Sequence, residues 1–421
     1  MTGLKVVKRL IGAATVALSF NAVSAQATEL ELMHFWTSGG EAAAMGVIKK
    51  AAQGAGIEWK DAAVSGGSGM NAFQVLQARV AAGNPPAAMQ MHGEQIREYA
   101  NAGLLLDLSD VAASEGWDKV IDPDLLSYYR ENGKVVGIPF NMHRPNWVWA
   151  NKKLLDRYGG KAPASWPEFF AMADKMKADG VLPLASGGQP WQDLMLWEVV
   201  LLGDEGKDFY TTALLDLKTE AINSPQMLKA FETFRKVLSY TDANRANRDW
   251  NLATAMVING DAAMQLMGDW ASGEFTKAKK VAGQDFVCAD SPGTTGIYEW
   301  NADFWGFFKG LNADGVAAQK ALAKVTLEKQ TQQDFNVLKG SIPARTDIGP
   351  EAFLPCGQKA IKDRQAALAS HNMVGSFAQN SGGQPPEVRG VFEDAVNQFA
   401  NDPKMTPRQA VDKILGGLKA L

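Results

Sequence analysis

Apolar and polar residues alternate at strand period through Leu30-Glu31-Leu32-Met33-His34-Phe35-Trp36. The turn Thr37-Ser38-Gly39-Gly40-Glu41 follows, and an Ala-rich helical pattern runs from Ala42 to about Gln53. The unit then repeats. Residues 57–64 predict a strand, Ser65-Gly66-Gly67-Ser68-Gly69 its turn, and 70–82 a helix that Gly83-Asn84-Pro85-Pro86 breaks. Residues 87–92 predict a third strand, with Gln90 and His92 on one face at its carboxyl end. Strand–helix alternation of this kind predicts a mostly parallel sheet covered by helices. Such sheets bind ligands beyond the carboxyl ends of their strands, which makes Trp36 and Glu41 candidate pocket residues. The first turn lacks the Gly-x-Gly-x-x-Gly spacing of a dinucleotide site.

Further on, Pro139 and Pro145 interrupt strand pairing and mark a first crossing between domains. A helix-rich region spans 152–280, with helices expected over 191–202, 225–240 and 251–259. Ser165 reads as an N-cap, with Pro167 in the first turn and Glu168 at the third helical position. Residues 281–289 return as a strand. In Tyr298-Glu299-Trp300-Asn301-Ala302-Asp303-Phe304-Trp305-Gly306-Phe307-Phe308, strand period would put Asn301 and Asp303 on one face. A carboxylate and an amide beside indole rings suit a ligand with hydroxyl edges and C–H faces, though a core strand with a polar start reads equally from this stretch. A helix over 317–329 carries the chain to about 333, and Lys339-Gly340-Ser341-Ile342-Pro343-Ala344-Arg345 marks another crossing. Helices over 358–369 and 387–401 precede a last one from Thr406-Pro407, with Ala410, Ile414 and Leu418 at helical spacing.

Composition narrows the classes. The 421 residues leave room for two domains with sizeable cores, and 46% hydrophobic with 21% charged residues is ordinary for a globular chain. A net charge of −4 without a basic tract after the N-terminus argues against a nucleic-acid partner. Lys5, Lys8 and Arg9 ahead of the apolar run from Leu10 to Phe20, then small residues to Ala25 and Ala27, predict an export leader over 1–25. In an oxidising compartment Cys288 and Cys356 are candidates for one disulfide, with two buried free thiols as the alternative. No His-x-x-x-His, Cys-x-x-Cys or dense Asp loop predicts a metal site. Trp166, Trp197 and His34 read as structural, Trp270 as bracing or touching a cleft, and His143 as belonging to a hinge or cleft.

Several segments, taken in order, carry a resemblance. They are Met33-His34-Phe35-Trp36 with Gly39-Gly40-Glu41, Arg79-Val80-Ala81-Ala82-Gly83-Asn84-Pro85-Pro86 with Gln90-Met91-His92, and Ile138-Pro139 ahead of His143-Arg144. Trp149-Ala150-Asn151-Lys152-Lys153-Leu154, Trp166-Pro167-Glu168-Phe169 and Gly260-Asp261-Ala262-Ala263-Met264 with Met267-Gly268-Asp269-Trp270 continue it. Pro292-Gly293-Thr294 and Lys339-Gly340-Ser341-Ile342-Pro343 complete it. Over essentially the whole mature chain this order resembles the maltose-binding-like extracellular solute-binding proteins of ABC sugar importers, closest to the branch that binds glucose, mannose or related sugars.

The resemblance implies a two-lobe α/β periplasmic-binding-protein fold, with a multi-segment hinge and a ligand cleft between lobes. It implies an N-terminal lobe from 26–140 and 304–345 and a C-terminal lobe from 141–303 and 346–421. Trp36, Glu41, Gln90, His92, Trp250, Asn301, Asp303 and Lys339 match pocket positions of the family. Two positions depart from it: Phe35-Trp36 stands where the branch often has paired Trp, and Gln379 where it often has His. The expected protein is a periplasmic monomer, without cofactor or catalysis, that closes over a sugar and presents it to the permease subunits of an ABC transporter. An exported glycoside hydrolase using Glu41 and Asp303 is the alternative from another class. A sugar acid, favoured if Lys339 and Arg144 both face the cleft, or an oligosaccharide is the alternative ligand.

Overall fold

The computed structural model of the chain describes residues 27–421, and the leader expected over 1–25 lies outside them. A five-stranded sheet runs in the order Ile57–Ala63, Thr28–His34, Ala88–His92, Asp303–Phe307, Gly137–Pro139. The first three strands are parallel, while Asp303–Phe307, delivered from late in the chain, lies antiparallel to both neighbours. A four-stranded sheet has the order Phe286–Asp290, Trp147–Asn151, Met264–Leu266, Leu184–Ala185. Helices cover both sheets, which gives the two-lobe α/β architecture that the resemblance implies. The mostly parallel sheet expected from the alternation holds for the first three strands only, since later segments join antiparallel and the second sheet is parallel only between Met264–Leu266 and Leu184–Ala185. Ala88–His92 and Asp303–Phe307 are buried at every residue, as strands covered on both faces must be.

Most expected elements are present with small shifts of boundary, and three depart for physical reasons. The stretch 298–308 is two strands. Tyr298–Trp300 pairs in parallel with Met373–Gly375, the chain turns through Asn301 and Ala302, and Asp303–Phe307 enters the five-stranded sheet. Both halves are buried at every residue, so the pattern along this stretch does not reveal the break. Residues 281–285 form a turn closed by Asp285, whose carboxylate accepts from Val281 N at 2.8 Å, and the strand begins only at Phe286. The helix expected over 317–329 is a pair, Ala313–Leu327 and Lys329–Lys339, separated by Glu328 in an extended conformation. The second of these ends at Gly340, whose φ of 90° suits glycine, and it carries Lys339 to the point where the chain turns back.

Aromatic packing holds each sheet to its helices. Trp305 meets Trp59 at 6.2 Å and Phe140 at 4.8 Å between centroids, and Phe140 in turn stacks on Phe335. In the other half Trp147 stacks on Trp149, and Phe275 on Phe286 at 4.2 Å. Trp166 and Trp197 are buried in that half, and His34 bonds to Asp61 at 2.7 Å. At one contact between the halves two backbones approach directly. A Cβ on Gly40, in the helix Gly39–Gly54, would come within 2.6 Å of the backbone of Gly273 in Ala271–Lys277. Gly40 N there donates to Glu274 Oε1 at 2.7 Å.

Cys288 and Cys356 form a disulfide with their Cα atoms 6.1 Å apart. It ties an edge strand of the four-stranded sheet to the helix Pro355–Ala369, across 68 residues of sequence. Closing a loop of that length restricts the unfolded chain. Replacing both cysteines by serine is expected to lower unfolding stability in urea by about 2–4 kcal/mol with little change in fold.

Candidate functional site

Helix N-termini converge on one place. Ser38 caps Gly39–Gly54, Gly69 precedes Met70–Ala81, Gln189 precedes Pro190–Tyr210, Asp249 precedes Trp250–Asn259, and Trp270 precedes Ala271–Lys277. All five of those preceding residues line a single cavity of ≈ 280 Å³, walled from both halves of the molecule. Helix N-termini present unpaired backbone N–H groups and partial positive charge. Gly69 is required there, since it has φ 91° and a Cβ would strike the Phe35 ring at 2.7 Å.

Trp36, Glu41, His92, Trp250, Asn301, Asp303, Lys339 and Gln379 all line this cavity. Gln90 does not. The register pairs His92 with Asp303 and places Gln90 one step deeper, opposite Trp305. Fully buried there, Gln90 accepts from Phe35 N at 3.2 Å and donates to Asp303 Oδ1 at 3.0 Å, so it orients the wall from behind. Arg144 also faces away, its guanidinium held by Asp290 at 3.1 Å and Asp363 at 2.6 Å. Lys339 is therefore the lining ammonium, unaccompanied by an arginine.

Each wall residue has a local reason for its place. Glu41 closes the helix cap: Oε2 accepts from the backbone N of Thr37 and of Ser38, both at 3.1 Å. Its Oε1 lies 3.5 Å from Lys339 Nζ. That ammonium sits 4.9 Å from the Trp36 ring and 6.0 Å from the Trp270 ring, between two indoles. Trp36 is braced by Phe140 and Phe335, and Trp250 is half-buried at the head of its helix. Two buried amide atoms facing this region have no hydrogen-bond partner among the described residues, Asn301 Oδ1 and Gln379 Nε2. Gln379 accepts from Ser68 Oγ at 3.3 Å across the cavity mouth.

Asp303 is the electrostatic centre. Oδ1 accepts from Gln90 and lies 3.5 Å from His92 Nε2, and Oδ2 lies 3.2 Å from His143 Nε2. Burial alone would raise its pKa, but the His143 hydrogen bond and the charges of His92, His143 and Lys339 outweigh burial and bring it down to about 2. His143 is itself held from behind by Asp269, whose other oxygen accepts from Arg144 N at 2.9 Å. Burial lowers the His143 pKa, yet the Asp269 charge and its bonds to Asp269 and Asp303 prevail and raise it above 6.5. Asn141 Nδ2, 3.0 Å from the same Nε2, is the contact that would favour a neutral ring, and two carboxylates outweigh it. His92 goes the other way. Burial drives it down to about 4 against the pull of Asp303, so it is neutral near pH 7.

Ser68, Gln189, Trp191 and Asp249 line the cavity without having been candidates, while Phe35, a position departing from the family, Trp270, expected at a cleft, and His143, expected at a hinge or cleft, line it too. A shared signal exists for most of them, because they lie at or beside helix starts such as Gln189-Pro190-Trp191. Among the described residues no group of three or more His, Cys, Asp or Glu side chains is placed to hold a metal ion.

The family of bacterial extracellular solute-binding proteins matches residues 37–332. A "Probable sugar-binding periplasmic protein" of Mesorhizobium japonicum is 45% identical over 409 residues, covering 97% of this chain and 98% of the relative. Among solved structures, a chitin oligosaccharide binding protein superposes with a TM-score of 0.79 at 22% identity, covering 94% of this chain and 99% of the other. The bacterial solute receptor AcbH, described as preferring β-D-galactopyranose exclusively, superposes with a TM-score of 0.78 at 18% identity, covering 94% and 98%.

The two cavity histidines should titrate apart. In NMR spectra of ring-labelled protein, His143 is expected to stay doubly protonated at pH 6.5 while His92 stays neutral until the pH falls toward about 4. A neutral His143 ring at that pH would contradict the charge arrangement derived above.

Proposed function

Because the chain belongs to the bacterial extracellular solute-binding protein family, we propose that it is the periplasmic receptor of an ABC sugar importer and that its ligand is a monosaccharide such as glucose. The observation that carries the ligand class is the cavity: ≈ 280 Å³, walled by the indoles of Trp36, Trp191, Trp250 and Trp270, with polar atoms between them. That volume lies near the bottom of the roughly 300–1,000 Å³ usual for small-molecule sites, which favours one sugar ring over several. The rhizobial relative's description supports a sugar, and AcbH is a receptor of this fold described as taking a single sugar ring.

In this reading Trp36 and Trp250 stack on C–H faces, while Asp303, Glu41, Asn301, His92, Lys339 and Gln379 meet hydroxyls. An ionised Asp303 accepts from hydroxyls and Lys339 donates to them, so the two set stereochemistry from opposite sides. Gln90 contributes by holding Asp303. The lobes comprise 26–140 with 304–345, and 141–303 with 346–421. The ligand bridges them and shifts the protein toward a closed form, which a membrane permease reads as the monomer's loaded state.

The hydrolase alternative requires one carboxyl kept protonated as a general acid. Asp303 is shifted the opposite way, and Glu41 has one oxygen committed to two backbone amides and the other beside Lys339. Neither carboxylate suits that role.

Thermal unfolding of the mature, ligand-stripped protein against a sugar panel, followed by calorimetry, tests the proposal. Glucose, mannose, galactose or xylose at about 100 times its Kd should stabilise the native state by about 2.7 kcal/mol. A shift with disaccharides or sugar acids alone would overturn the monosaccharide, and silence across the panel would overturn sugar binding.

For the sugar that binds, Asp303→Asn is expected to weaken affinity by about one to two decades, because it leaves hydroxyl donors and His143 without their carboxylate. Asp363→Asn, outside the cavity, should leave affinity within about twofold, since its partner Arg144 keeps Asp290.

A further inference from the structure

Behind the Gln379 side of the cavity lies a pair of acids that the binding reading does not use. Glu198, in the middle of the helix Pro190–Tyr210, and Glu299, in the strand Tyr298–Trp300, are both fully buried. Glu198 is richly satisfied. It accepts from Phe377 N at 2.6 Å, from Ala378 N at 3.2 Å and from Ser376 Oγ at 3.0 Å, and the Tyr210 hydroxyl also donates to it. Ser376 Oγ in turn accepts from Gln379 N at 3.3 Å. Glu299 lies beside Glu198 and Ser376, yet neither of its carboxyl oxygens has a hydrogen bond of ordinary geometry among the described residues.

Two carboxylates cannot both remain charged at such a place, because burial and mutual repulsion act together. The donors decide which keeps the charge. Four of them converge on Glu198 and none of ordinary geometry on Glu299, so the proton belongs on Glu299. We propose that Glu198 and Glu299 form a carboxylate–carboxylic acid pair holding one proton, and that Glu198 acts through it as a positioning residue for segment 376–381 and so for Gln379. That segment also meets the opposite half of the molecule. Glu94 N donates to Asn380 O at 3.3 Å, and Tyr128 Oη donates to Ser381 O at 2.8 Å. Glu198 thus fixes, from one half, the loop through which Gln379 reaches the cavity and its neighbours reach the other half. The pair itself stands apart from the sugar reading, while its consequence for affinity rests on it.

The titratable groups facing the pair are Tyr210, from the end of the Glu198 helix, and Arg144, whose charge reaches Glu299 from the neighbouring crossing. Burial first, and Glu198's charge second, push the Glu299 carboxyl well above 4.5. Folding therefore takes up a proton wherever the pH lies above the unfolded value of Glu299 and below its folded one. The sign follows directly: stability is fullest below the unfolded value and falls as pH rises toward the folded one, by up to about tenfold in the folding constant per pH unit. Glu299→Gln, which is neutral at every pH, removes that dependence.

Three measurements test the proposal, and the first two need no ligand. In thermal unfolding from pH 5 to pH 9, Glu299→Gln should gain on the wild type progressively as pH rises; parallel profiles would overturn the single-proton pair. In amide hydrogen exchange at pH 7, Glu198→Gln should speed exchange at Phe377 and Ala378 by about tenfold or more, as expected when the charged acceptor of two amides is lost. Unchanged protection there would overturn the positioning role. Should Glu198→Gln fail to fold, Ser376→Ala, which removes a single donor to Glu198, replaces it with the same readout. Finally, for a sugar found to bind, Glu198→Gln and Gln379→Ala should each weaken affinity, and the double variant should lose less than the sum. Additive losses would overturn the coupling. A protein that binds no sugar defeats the functional proposal alone, since the first two measurements still decide the pair.

Discussion

A carboxylate removed from water persists as an anion only where other groups supply what the solvent did. Asp303 sits at such a point, 2% exposed, where the chain passes from one sheet into the other. His143 comes from one crossing segment, Gln90 and His92 from the strand beside it, and Asn141 Oδ1 accepts from the Asp303 backbone N at 3.1 Å. Residues 141–143 and 301–303 meet there because this charge has to be satisfied from both sides. Asp269, in the second half, completes the arrangement by holding His143. The hinge region and the cavity floor thus share residues, so a group that lines the cavity also sets the geometry of the passage between lobes.

The extent to which this was legible in the sequence depends on how local each cause is. The opening strand–turn–helix units could be read because period, glycine turns and caps lie within a few residues of one another, as Ser38 and Glu41 do. Trp36 and Glu41 followed from that reading. The pairing of His92 with Asp303 could not, because strand register between distant segments leaves no local trace. Alternation correctly put Gln90 and His92 on one face, but only register shows that His92 is at the rim and Gln90 beneath it. The split at Asn301-Ala302 was hidden for a related reason: both flanking strands are buried at every residue, each in a different sheet. Trp250, Lys339 and Gln379 came from resemblance alone, although Trp250 stands at a helix start and Lys339 opens a Gly/Pro-marked crossing.

The cavity also shows how the fold balances its charges. Three carboxylates, of Glu41, Asp249 and Asp303, and a single ammonium line it, along with a histidine whose pKa is raised by its bonds to Asp269 and Asp303, while five helix starts aim partial positive charge at the same volume. A neutral ligand rich in hydroxyls gains hydrogen bonds to both signs in such a space and needs no counter-ion. The indole walls add apolar contact without demanding a particular hydroxyl, which separates strength of binding from choice of sugar.

The meeting of Gly40 with Gly273 has a mechanical meaning. Where helices cross through interlocked side chains, turning one against the other forces rotamers to change and the joint behaves like meshed gears. Here the two backbones touch directly, and one hydrogen bond, from Gly40 N to Glu274, spans the contact. Such a contact resists compression but offers little friction, so it serves as a plain bearing. Rotation about it breaks the Gly40 bond to Glu274 and slides the Lys277 side chain that lies over Gly39, without prising interlocked ridges apart.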